Sequence, residues 1–196
     1  NDPQTLTLKN IAHQITSWQQ LPSLAEEQGM APLVNYHLRK ANITIPQEIQ
    51  RELTALSLRH KLINQARTTT LIELATFFHQ AKIPLLVLKG MALAHFLYPS
   101  PDLRPMKDMD LLIRNEDIEK VTQLLFSNGF KQHKDAFFHP SVLHLPTFTK
   151  EVDGFRISIE VHHRLLPEKN GEFWGYLGNL QNPHQKIQIS DEVTIE

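Results

Sequence analysis

Asp108 and Asp110, separated by Met109 and running straight into Leu111-Leu112-Ile113, are the residues of this sequence best suited to chemistry. Side chains on a strand repeat direction every second residue, so the two carboxylates of an Asp-x-Asp share a face. Their Cα atoms then lie roughly 6–7 Å apart, close enough for the oxygens to share one or two divalent cations. An isolated Asp-x-Asp is more often a solvated pair at a strand edge. Here the apolar residues that follow mark a strand buried on both faces, where Asp is depleted. Two carboxylates fixed on such a strand repel each other unless a cation neutralises them. Metal ligation is the favoured expectation for this pair.

A third carboxylate is offered by Glu160. Phe155, Ile157, Ile159 and Val161 alternate with Arg156, Ser158, Glu160 and His162, which puts Glu160 and His162 together on the polar face of one strand. Taken alone, Glu160 reads as a half-exposed hairpin residue. Lys89-Gly90 closes an apolar run and opens a helical pattern, so backbone N–H groups there could face an anion with a lysine adding charge. An ordinary strand-to-helix turn with a surface lysine would look the same. Arg104, in a loop stiffened by Pro99, Pro101 and Pro105, could clamp a triphosphate through two parallel hydrogen bonds or pair with Asp108 or Asp110. The 11 histidines contain no His-Glu-x-x-His, and His139-x4-His144 is no zinc pattern. His162 and His144 are candidates to line the cleft and act as bases, whereas His133, His139 and His163 are expected to be solvated.

The elements that must position these groups fall into two parts. Residues 1–82 read as a helical region, with helices over Thr5–Gln20, Pro22 to Gly29 and Ala31–Ala41, then a long one from Pro46 to about Lys82. Ser23 and Glu26 form a capping-box pattern, and Thr68-Thr69-Thr70 is the expected break in the long helix. Residues 83–196 read as an α/β core. Ile83–Leu88 is a buried strand, Gly90 the turn out of it, Met91–Leu97 a helix and Met109–Arg114 the next strand. Asn115 caps a helix that Asn128-Gly129 ends. Asp153-Gly154 predicts a hairpin joining Thr147–Val152 to Phe155–Val161, and residues 186–196 predict a small strand pair.

Composition narrows the classes. At 196 residues the chain can bury a core unaided, and with no cysteine it has neither disulfide nor thiolate site, which fits a reducing cytoplasm. A net charge of −1 gives no field for general nucleic-acid binding. No apolar run approaches membrane-spanning length, and no signal-peptide pattern opens the chain.

Ile83-Pro84 followed by LLVLKGMALAHFLY, then Arg104, Asp108-x-Asp110 and an apolar strand, resembles the uncharacterised nucleotidyltransferase family of bacterial proteins, within the DNA polymerase β-like nucleotidyltransferase superfamily. His144-Leu145-Pro146, Glu160-Val161-His162 and the Ala31-Pro32-Leu33 region extend the similarity over nearly the whole chain. Where the wider superfamily has a phosphate-contacting serine after the glycine, this sequence has Met91, which offers only its backbone N–H. The resemblance implies longer family members, with a helical C-terminal region beyond these residues.

The resemblance implies an α/β (α+β) fold, a small mixed sheet flanked by helices behind an N-terminal helical region. It implies transfer of a nucleoside monophosphate from an NTP to an acceptor hydroxyl or other nucleophile, releasing pyrophosphate. Asp108, Asp110 and Glu160 would hold Mg²⁺ or Mn²⁺, and Lys89, Gly90 and Arg104, with His144 and His162 nearby, would hold the substrate. The acceptor could be a small molecule, a peptide or protein, or RNA. A catalytically degenerate nucleotide-sensing or protein-binding module of the same fold is the alternative. A metal-dependent phosphohydrolase using the histidines is a weaker third.

Overall fold

Proline punctuates the first half of the chain. Its fixed φ suits the first turn of a helix, where its missing N–H costs nothing. The computed structural model describes residues 3–132, 143–164, 187–190 and 193–195. In it, α1 (Pro3–Gln14) starts on a proline, and α2 (Leu21–Glu27) and α3 (Ala31–Lys40) carry one in their first turn. Pro46 directly precedes α4 (Gln47–Gln80).

Several boundaries differ from expectation, each for a local reason. α1 stops at Gln14 rather than Gln20, because β-branched Ile15 and Thr16 disfavour helix and Ser17 hydrogen-bonds locally to Gln19. The capping box does not form. Ser23 lies inside α2 and donates to the Gln20 carbonyl, while the Glu26 carboxylate takes His60 Nε2 at 2.8 Å. Nor does α4 break at Thr68-Thr69-Thr70. The buried Thr70 hydroxyl donates back to the Ala66 carbonyl, so its polar group is satisfied within the helix.

The chain forms two compact units. The first comprises residues 1–65 and 98–106. Its core gathers Ala25, Ala31, Leu38, Ile49 and Leu53, with Trp18 and Leu21 packed against them. Within it, the buried Asn64 amide donates to the carbonyls of Pro101 (3.0 Å) and Arg104 (2.9 Å), fixing the proline-rich loop.

The second unit comprises residues 66–97 and 107–196 and contains the sheet. Its strands are β1 (Leu86–Leu88), β2 (Met109–Leu112), β3 (Lys131–Gln132), β4 (Phe148–Val152) and β5 (Phe155–His162), in the order β1-β2-β5-β4-β3. β2 pairs antiparallel with β1 but parallel with β5, so the sheet is mixed. β2 is buried along its whole length, as its apolar composition requires. Met109, Leu111, Phe148, Ile157, Ile159 and Val161 are fully buried and form the heart of this core. Two helices flank these strands in sequence, α5 (Lys89–Leu97) after β1 and α6 (Ile118–Ser127) after β2. β6 (Ile187–Ser190) and β7 (Val193–Ile195) form the separate antiparallel pair expected near the end of the chain.

The hairpin turn is the predicted one: Asp153 (φ 51°) and Gly154 (φ 78°) both adopt positive φ, the pattern that matches strand twist. Asn115 does not cap α6, because a 3-10 turn over Asn115–Asp117 intervenes. The turn out of β1 also shifts. Its positive φ (45°) falls on Lys89 rather than Gly90, which is already helical. Left-handed backbone costs a residue with a Cβ about 1–2 kcal/mol, so the surroundings must hold Lys89 there. No helix among the described residues is long and apolar enough to cross a membrane.

Candidate metal and nucleotide site

The site is built on the middle of the mixed sheet. In the parallel pairing, Asp110 stands opposite Glu160 and Leu112 opposite His162. Because side chains alternate, Asp110, Glu160 and His162 project from one face of two neighbouring strands. One donor atom from each lies within 4.8 Å of the other two. His162 Nε2 is 2.9 Å from Asp110 Oδ1 and 3.8 Å from Glu160 Oε2. The carboxylates only accept, so Nε2 carries the hydrogen that bonds to Asp110.

On the other side of β2, Leu88 pairs with Asp110, and the next residue, Lys89, donates from Nζ to the same Asp110 Oδ1 at 2.6 Å. Asp110 is 5% exposed and the Lys89 side chain 59% exposed, so the pair sits at the mouth of the site. The Lys89 pKa is raised: the hydrogen bond to Asp110 is the largest cause, burial opposes it, and the negative charges of Asp110, Glu160 and Asp108 add to the rise. Lys89 is thus a cation throughout the physiological range. Gly90 and Met91 follow in the first turn of α5, and the Met91 side chain is buried.

Asp108 lies one residue ahead of β2 and outside the group of three donors that converge on one point. Its charge acts on Lys89 and on Arg67, a buried α4 residue whose guanidinium donates to the Lys107 carbonyl at 3.4 Å. Burial lowers the Arg67 pKa, and Asp108 opposes that effect. Arg67 is not among the candidate residues of the sequence, where residues 1–82 read only as a helical region. The signal was available: Arg67, Leu71, Leu74 and Phe78 recur at helical spacing, and all are buried.

His144 and His162 come together as an isolated antiparallel bridge, their rings 5.4 Å apart. His144 Nδ1 donates to the Leu145 carbonyl at 2.8 Å, which leaves Nε2 of the neutral ring with a lone pair. His163, expected in solvent, is buried instead. It continues the Ile157-Ile159-Val161 alternation onto the core face. His133 and His139 lie outside the described residues. Arg104 belongs to the first unit, where its guanidinium donates to Tyr98 Oη (3.1 Å) and lies over the Tyr98 ring (5.6 Å).

Two carboxylate oxygens and an imidazole nitrogen are a donor set that suits a divalent cation. No curated protein and no solved structure matches the chain. The sequence profile of an uncharacterised nucleotidyltransferase family matches residues 15–193, nearly the whole sequence and all of the site. The chain therefore belongs to the uncharacterised nucleotidyltransferase family.

Proposed function

We propose that this protein transfers a nucleoside monophosphate from an NTP to an acceptor hydroxyl or comparable nucleophile, with a divalent cation such as Mg²⁺ or Mn²⁺ held by its carboxylates. The observation that carries this reading is the facing of Asp110 and Glu160 across β2 and β5, beside Lys89-Gly90 at the start of α5, in a chain of this family. Asp110 and Glu160 would hold the ion, with Asp108 adding a carboxylate from the residue before β2. A bound ion there would neutralise triphosphate charge and lower the pKa of the nucleophile. The Lys89 ammonium and the backbone at Gly90 bind the phosphates that become pyrophosphate. Arg104 is assigned to the triphosphate by the family resemblance. The acceptor oxygen bonds to the α-phosphorus as the bond to pyrophosphate breaks. Its proton passes to His144 Nε2.

The test is nucleotide binding and turnover with and without Mg²⁺ or Mn²⁺, using α-labelled NTPs against pooled small-molecule, peptide and RNA acceptors. Metal-dependent binding with label transferred to an acceptor is the expected result. Binding without transfer points to the nucleotide-sensing alternative, and binding of no NTP under either condition sinks both. Arg104→Lys is expected to weaken NTP binding about tenfold while leaving the melting temperature unchanged, since a point charge cannot reproduce the planar fork. A lowered melting temperature with unchanged affinity would make Arg104 a structural residue.

A further inference from the structure

The nitrogen donor has a consequence that the carboxylates alone would not have. Resting on the nucleotidyl-transfer reading, we infer that His162 Nε2 is itself a ligand of the bound ion and tunes the site toward borderline transition ions, Co²⁺ and Zn²⁺ above Mg²⁺. Ligands about 2.0–2.1 Å from a tetrahedral ion stand roughly 3.3–3.4 Å from each other. The separations of Nε2 from Asp110 Oδ1 (2.9 Å) and Glu160 Oε2 (3.8 Å) bracket that value, so small rotations suffice. His162 is 8% exposed and its backbone is locked between Leu112 of β2 and the bridge to His144, so the ring has little freedom to leave. Nε2 lies 2.9 Å from Asp110 Oδ1, and since a carboxylate only accepts, the hydrogen between them is carried by Nε2. When the ion replaces that hydrogen, the proton moves to Nδ1 or to solvent. Imidazole favours Zn²⁺, Co²⁺ and Ni²⁺, whereas Mg²⁺ prefers oxygen and holds its waters. His162 is thus the residue that sets ion preference.

Two measurements on the full chain test this without relying on turnover. Pulsed electron paramagnetic resonance of the Mn²⁺-loaded protein is expected to show imidazole ¹⁴N coupling, and His162→Gln to lose it. Equilibrium titrations are expected to show Co²⁺ binding wild type about a hundredfold tighter than Mg²⁺. His162→Gln should weaken Co²⁺ by about tenfold or more and leave Mg²⁺ within about threefold. Bound Mn²⁺ without nitrogen coupling, an unchanged Co²⁺ to Mg²⁺ ratio in the variant, or no ion binding at all would overturn the inference. If His162→Gln fails to fold by circular dichroism, His162→Asn replaces it, and a nitrogen signal that survives the substitution belongs to another histidine and overturns the inference. Nitrogen coupling without label transfer from any NTP defeats the nucleotidyl-transfer reading and leaves His162 as a ligand. Transfer supported by Mg²⁺ with no nitrogen coupling does the reverse.

Discussion

Asp110→Asn is expected to reduce nucleotidyl transfer by about a thousandfold or more while leaving the protein folded. Lys89 and His162 both converge on Asp110 Oδ1. Asparagine keeps that carbonyl oxygen in place as an acceptor, so neither neighbour loses its partner outright. It removes the negative charge, and a neutral amide in a buried position holds a divalent ion poorly. A single preorganised electrostatic contact at a reacting phosphate or carbonyl is commonly worth about 10²–10³ in rate, and loss of the ion removes more than one such contact. Initial rates with label in the α-phosphate, and melting curves with and without Mn²⁺, measure the two halves. The Mn²⁺-dependent rise in melting temperature should vanish with the activity, because that rise reports affinity for the folded state. A variant that retains its rate to within tenfold would place the transferring ion elsewhere.

Lys89→Met should move two affinities in opposite directions. The Lys89 ammonium and an incoming ion compete for the same Asp110 oxygen, since Nζ already sits 2.6 Å from Oδ1. Removing that charge is expected to tighten ion binding, in the absence of nucleotide, by about three- to tenfold, the modest range reflecting how far water and salt screen an exposed cation. With the ion bound, the displaced ammonium is free to meet a triphosphate. Its loss should therefore weaken NTP binding at saturating metal by about tenfold. Calorimetric titrations of ion alone, then of NTP at saturating ion, read both. Ion affinity that falls or stays constant would show that Lys89 is no competitor. The competition should persist between about pH 6 and 9, because the raised pKa keeps Lys89 charged there. The stability it contributes is present below the ordinary lysine value and is lost only as pH climbs through the raised one.

Local signals were legible, and long-range ones were not. The alternation over Phe155–Val161 placed Glu160 on the polar face and Ile159 in the core, as found. Asp153-Gly154 specified its own turn, since both residues tolerate positive φ. What the chain could not disclose locally was that β5 lies parallel to β2, which is what sets Asp110 against Glu160. Strand partners are chosen by the whole core, so no window of sequence contains that register. The strained φ of Lys89 was hidden by the adjacent Gly90, the residue type that usually takes such a turn. Arg67 and His163 were missed differently. Both continue apolar stripes and are buried, although side chains of their kinds are more often left to solvent.

The parallel pairing has a kinetic side. Lys89 and Asp110 are 21 positions apart in the chain, but Asp110 and His162 are 52 apart. Closing the longer loop costs about 0.8 kcal/mol more in chain entropy, and nothing repays it until the strands dock. The β4–β5 hairpin, with its two-residue turn, can form by itself. Its docking onto β2 is the non-local step, of the kind that slows folding. The donor atoms therefore do not exist as a set in the unfolded chain or in its early hairpins. They come together only when β5 pairs with β2, so an ion held by all three is held by the paired strands alone.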